Sequence, residues 1–133
     1  MQKNKVLDSS ALVTYFEAGY GSEKVTGIFQ ESSKANVRIF LSAANWAEVL
    51  SVIERRYGLK KSHEMGSLIE RIDMEIVPLD KDMAREAAHI KSEYKLHYLD
   101  AFAVALAVEK KAELVTADRD FDAVKSLIAI IWI

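Results

Sequence analysis

Along the whole chain, short runs of β-forming residues alternate with longer runs of helical period, and this alternation limits the fold more than any other feature. Residues 5–7, 37–41, 75–77, 113–116 and 127–133 are brief, apolar and rich in β-branched or aromatic side chains, which specifies strands. Between them apolar residues recur at helical spacing. Leu12, Val13 and Phe16 mark a helix over 9–18, stopped by Gly19 and Gly21. Val25, Ile28 and Phe29 mark a second helix with Ser22 as its expected N-cap. Helices over 42–57, ended by Gly58, over 61–72 and over 80–94 follow. Residues 100–111 are almost all Ala, Val, Leu and Phe, so that helix is expected to be buried on most sides. Strands alternating with helices specify an α/β fold with a central, mainly parallel sheet and helices on both faces. Pro78 is the one proline, and no Gly/Ser-rich linker, repeat or low-complexity segment breaks the pattern, so a single domain over 1–133 is expected.

Composition narrows the chemistry. Half of the 133 residues are hydrophobic, enough for a substantial core. The absence of Cys removes disulfides, thiolate metal sites and cysteine nucleophiles. The first residues carry two lysines, then only Val6 and Leu7 before Asp8, which is not a signal peptide. The longest apolar stretch, 101–108, is too short to span a bilayer, so no membrane partner is expected and the location is read as cytoplasmic. Net charge is -2, from 18 Lys and Arg against 20 Asp and Glu. With four acids committed to a metal, 16 would remain and the rest of the molecule would carry +2, so the balance is neutral towards a nucleic-acid partner.

The acids are placed where chemistry is done. In open α/β sheets ligands bind beyond the carboxyl ends of the strands. Asp8 closes the first strand and Asp118 follows the fourth, so both would project at one sheet edge if those strands are neighbours. Each also suits helix capping. Glu48 lies mid-helix among Ala44, Asn45, Ser51 and Val52, a small and weakly polar strip on which a carboxylate needs a partner; the alternative is a solvated surface Glu. Asp100 opens the most apolar helix, where it would either complement the dipole or face a cleft. Two acids at strand ends and two on buried or half-buried helices favour a metal site over four unrelated caps. Hard cations such as Mg²⁺ and Mn²⁺ prefer carboxylate oxygens, and His63, His89 and His97 lack zinc-ligand spacing.

Four segments, VLDSSAL at 6–12, NWAEV at 45–49, LDAFAVALA at 99–107 and LVTADRDF at 114–121, together resemble the PIN domain, and within it the VapC toxins of toxin–antitoxin pairs. They occur in the family's order and cover nearly the full chain. The resemblance implies one PIN-like nuclease domain that cleaves RNA with Mg²⁺ or Mn²⁺. It implies that Asp8, Glu48, Asp100 and Asp118 hold the metal, with Glu48 acting through water or as a general base, and Asp120 as a secondary candidate. Ser9 and Thr116 are expected to hydrogen-bond to these acids. The segment KLHYL at 95–99 departs from the family in lacking a glycine.

A divalent ion suits such a reaction because it offsets the charge of the phosphodiester and acidifies water. Arg55, Arg56, Lys60, Lys61, Lys91, Lys95, Lys110 and Lys111 are available to RNA, and Arg119, beside Asp118, is the expected phosphate contact. The resemblance also implies a homodimer and a cognate antitoxin, which would block the acids with a basic side chain. The apolar run 127–133, with Trp132, is either part of a dimer surface or simply the last strand. Two other readings share much of the pattern: a phosphoacceptor receiver domain and a non-catalytic PIN scaffold. A receiver needs adjacent acids after its first strand, whereas Asp8 has Ser9 beside it.

Overall fold

In the computed structural model, which describes residues 3–133, the alternation resolves into five strands and six α-helices. The strands are β1 (Lys5–Leu7), β2 (Ile39–Ser42), β3 (Glu75–Val77), β4 (Glu113–Thr116) and β5 (Ile130–Trp132). They form one sheet in the order β3-β2-β1-β4-β5, and every neighbouring pair is parallel. The helices are α1 (Ser9–Phe16), α2 (Ser22–Ala35), α3 (Ala43–Tyr57), α4 (Leu59–Arg71), α5 (Lys81–Tyr94) and α6 (Tyr98–Lys110), and a 3-10 turn covers Arg119–Val124.

Successive strand residues point to opposite faces, so a strand that is apolar at every position must be covered twice. On one face Val6, Phe40 and Leu114 pack with Ala87 and Ile90 of α5, Ala103 and Leu106 of α6, and Phe121 and Val124 of the 3-10 turn. On the other, Leu7, Ile39, Leu41 and Val115 pack with Leu12 of α1, Val25 of α2, Val49 and Ile53 of α3, and Ile69 of α4. Helix α6 is buried as expected, and its alanines at 101, 103, 105 and 107 bring its backbone close to its neighbours.

Several boundaries differ from the sequence reading for local reasons. Helix α1 ends at Phe16, because Glu17 caps it and Ala18 turns to a left-handed φ of 51°. Gly21, at φ 93°, caps α2 in place of Ser22. Helix α4 begins at Leu59, so Gly58 alone joins it to α3. Of the run 127–133 only Ile130–Trp132 is strand; Ile128 enters the core and Leu127 is exposed. Those three strand residues form the edge strand β5, each only partly buried. In 95–99, which has no glycine, Lys95 itself adopts φ 57° to end α5.

The connections fix where a site can form. From β1 the chain steps outward to β2 and β3 through α1–α4 on one face. It then crosses the other face through α5 and α6 and re-enters beside β1 as β4. The strand order reverses between β1 and β4, and such a reversal opens a crevice at the carboxyl ends of those two strands.

Candidate metal centre

Asp8 and Asp118 flank that crevice. Leu7 pairs with Val115, so Asp8 emerges beside the end of β4, and its N–H donates to the Val115 carbonyl at 3.2 Å. Asp8 is the N-cap of α1, accepting the Ala11 N–H at 2.9 Å. Capping is not all it does. Its carboxylate also accepts the Ser10 hydroxyl at 2.8–2.9 Å and the Thr116 hydroxyl at 2.7 Å, and the residue is 2 % exposed. Burial pushes its pKa up from 3.8 to about 6; the Thr116, Ala11 and Ser10 bonds pull it down, and repulsion from Asp118 raises it.

Thr116, fully buried at the end of β4, joins the two acidic segments. Its hydroxyl gives its proton to Asp8 Oδ2 and accepts the Asp118 N–H at 2.9 Å. Asp118 in turn caps the 3-10 turn by accepting the Asp120 N–H at 2.9 Å. This places Asp118 and Asp120 together at the crevice mouth.

Asp100 arrives from α6. The helix begins two residues earlier than expected, with His97 as N-cap and no side-chain cap bond, so Asp100 lies in its first turn and is not the cap. One carboxylate oxygen each from Asp100, Asp118 and Asp120 lie within 4.8 Å of one another. The Asp100 pKa is pushed up from 3.8 to about 7, first by burial and then by repulsion from Asp118, Asp8 and Glu48, against a lowering from His97. Three oxygen donors at this spacing, with more negative charge behind them, fit a hard divalent cation.

Glu48 is half-buried on α3 and accepts a hydrogen bond from the Ser9 hydroxyl. It is close enough to Asp100 to repel it, although it does not share the three-oxygen cluster. Ser9 therefore serves Glu48, while Ser10, to which the sequence analysis gave no role, serves Asp8. Ser10 also accepts the Ala117 N–H at 3.1 Å. A second residue missed by sequence reasoning is Asn45. It is 1 % exposed, bonded to Ser42 at 2.6 and 3.0 Å, and its amide donates to the Leu99 carbonyl at 3.1 Å. Its place one turn before Glu48 was the available signal. Arg119 lies over the Trp132 ring at 4.4 Å from its centroid. After β3 the first acid, Asp80, caps α5 by accepting the Met83 N–H at 2.7 Å.

Solved structures share this fold. The chain superposes on VapBC2 from Rickettsia felis, bound to a promoter DNA fragment, with a TM-score of 0.75, 12% identity and coverage of 97% of this chain and 98% of that one. DNA-bound VapBC from Salmonella typhimurium gives a TM-score of 0.72 at 16% identity, covering 98% of both chains. VapC20 from Mycobacterium tuberculosis, described as a sarcin-ricin loop cleaving toxin, gives 0.71 at 16% identity, covering 90% of this chain and 94% of that one. No curated protein matches the sequence. The PIN domain family model matches residues 5–127, nearly the whole chain, and with the acids grouped at the β1/β4 reversal the chain belongs to the PIN domain family.

Proposed function

We propose that this chain is an endoribonuclease that hydrolyses RNA phosphodiester bonds at the acidic crevice with a bound Mg²⁺ or Mn²⁺, as the toxin half of a toxin–antitoxin pair. The observation that carries the reading is the grouping of Asp100, Asp118 and Asp120, with buried Asp8 close enough to repel Asp100 and Asp118. Asp8, Asp100 and Asp118 are assigned as metal-holding residues, Asp120 as an additional one and Glu48 as a ligand through water or a general base. When bound, the ion supplies the positive charge that offsets the phosphodiester and acidifies water.

The chain's own residues do the rest. Thr116 and Ser10 fix the rotation of the Asp8 carboxylate, and Ser9 orients Glu48 towards the crevice. Asn45 holds the start of α6, and so Asp100, against α3. A carboxylate set aligned before substrate arrives costs no reorganisation during the reaction. A cognate antitoxin and a homodimeric toxin are proposed because structural neighbours are toxin–antitoxin complexes, including one from Klebsiella pneumoniae. The location proposed is cytoplasmic; among the described residues no helix is long and apolar enough to cross a membrane.

The test is cleavage of structured RNA by the purified chain. Activity is expected with Mg²⁺ or Mn²⁺, none in excess EDTA, and a loss of at least about a hundredfold in Asp118→Asn with the fold intact by circular dichroism. Full activity in EDTA, or an Asp118→Asn variant as active as wild type, overturns the reading.

A further inference from the structure

Beside the acidic crevice is a second cleft, of about 560 Å³, whose lining includes Tyr20, Gly21, Glu23, Lys24, Arg119 and Trp132. Its chemistry differs from the centre's: the side chains of Lys24, Arg119, Tyr20 and Trp132 share the lining with one acidic side chain, Glu23. The Arg119 guanidinium carbon lies over Trp132, 4.4 Å from the ring centroid, within the range of a cation–π contact. Lys24 Nζ donates to the Trp132 carbonyl at 3.0 Å, which uses one of its three protons. Tyr20 is 96 % exposed, an unusual position for a large ring.

The cleft is tied to the centre by backbone. Arg119 sits between Asp118 and Asp120 in the chain, and Trp132 is the register partner of Thr116 in the β4–β5 pair. The turn bearing Tyr20 is pressed against the end of β5. A Cβ at Gly21, where φ is 93°, would meet the Ile133 carbonyl carbon at 2.9 Å, so only glycine allows that approach. Tyr20 and Lys24 are thereby carried to the same edge of the sheet as Arg119 and Trp132.

We infer that this cleft is a nucleotide subsite for single-stranded RNA flanking the scissile bond. One base stacks on the Arg119 guanidinium, which Trp132 backs; Tyr20 closes from the rim, and Lys24 holds the adjacent phosphate. Aromatic and guanidinium faces beside a lysine are what an unstacked base and its phosphate require, and a duplex has no such base to offer. The inference rests on the ribonuclease reading and adds the residues that hold the nucleotide next to the cut.

Fluorescence anisotropy on the full chain tests it, with a fluorescein-labelled single-stranded oligoribonucleotide of mixed sequence and the corresponding duplex as probes. Tyr20→Ala, at a fully exposed position, is expected to weaken single-strand binding about fivefold to tenfold and duplex binding by less than about twofold. Arg119→Lys keeps the charge but loses the planar stacking face, and is expected to do the same. Lys24→Gln should lower the salt dependence of binding by about one phosphate contact. Single-strand affinity unchanged in both Tyr20→Ala and Arg119→Lys, in a chain that cleaves RNA with metal, overturns the subsite alone. A wild type that neither cleaves RNA nor binds the oligonucleotide overturns the nuclease reading and the subsite with it. Variants with wild-type RNA affinity that lose a co-purifying protein assign the cleft to a protein contact, and also overturn it.

Discussion

One hydroxyl, that of Thr116, gives its proton to Asp8 and accepts another from the Asp118 backbone, so the two acids cannot move independently. Asp100 has no such tether, and its position is where repulsion shows most. It lies in the first turn of α6, where the helix dipole favours a carboxylate, yet its pKa rises to about 7. Burial and three neighbouring acids therefore outweigh the dipole. Asp100→Asn keeps the shape and removes the charge. Without metal it is expected to be more stable than wild type by on the order of 1 kcal/mol, a figure already reduced because Asp100 is partly solvated. Millimolar Mg²⁺ should raise the wild-type melting temperature and shift the variant much less. Thermal melts of both chains in EDTA and in Mg²⁺ check this; equal stabilities with equal Mg²⁺ shifts would show that Asp100 takes no part in a charged cluster. At this scale the acids were legible because carboxylates at strand ends and on apolar helices stand out by residue type. Which serine serves which acid was not, since Ser9 and Ser10 differ only in the direction that the first turn of α1 gives them.

Among the elements, α3 and α6 are joined at their starts by Asn45, whose amide reaches the Leu99 carbonyl from a nearly sealed position. Asn45→Ala removes that bond and the ones to Ser42, leaving polar groups unpaired in the interior. A loss of about 2 kcal/mol in urea unfolding is expected. The Mg²⁺ concentration for half-maximal thermal stabilisation should also rise, because Asp100 is no longer held against α3. A variant that unfolds earlier but keeps the wild-type Mg²⁺ response would make Asn45 a packing residue only. Element type was readable throughout, because helical and strand periods differ. Boundaries were less so: Gly21 rather than Ser22 caps α2, in a left-handed backbone packed so near Ile133, a residue far away in sequence, that a side chain there would not fit.

For the molecule as a whole, the acids at one sheet edge make stability depend on pH. Asp8 has a folded pKa of about 6 and Asp100 of about 7, against an ordinary 3.8. Between those values the folded chain holds protons that the unfolded chain has released. The stabilising contribution is therefore complete below about pH 4 and is lost as pH rises through 6 and 7. For Asp8 it is on the order of 3 kcal/mol. In EDTA the chain is expected to melt higher at pH 5 than at pH 8. Glu17 is held below the ordinary range by bonds from Tyr57 and Arg56, so its own small contribution runs in the opposite direction. A flat profile, or a higher melting point at pH 8, would contradict the charge balance described. The sequence suggested that β1 and β4 adjoin but could not establish it, since strand pairing across a hundred residues is decided by how both faces of the sheet are covered.

That adjacency also sets an order of events. The hydrogen bond that completes the Asp8 environment spans 108 residues, and Asp118 and Asp120 come only after β4 has been made. Contacts so distant in sequence form late, after the loop-closure entropy of the whole intervening chain has been overcome. A chain cut before β4 lacks Thr116, Asp118 and Asp120 and so cannot complete the crevice. The acids become neighbours only when the fold closes, because the first of them lies at the end of β1 and the last ones follow β4.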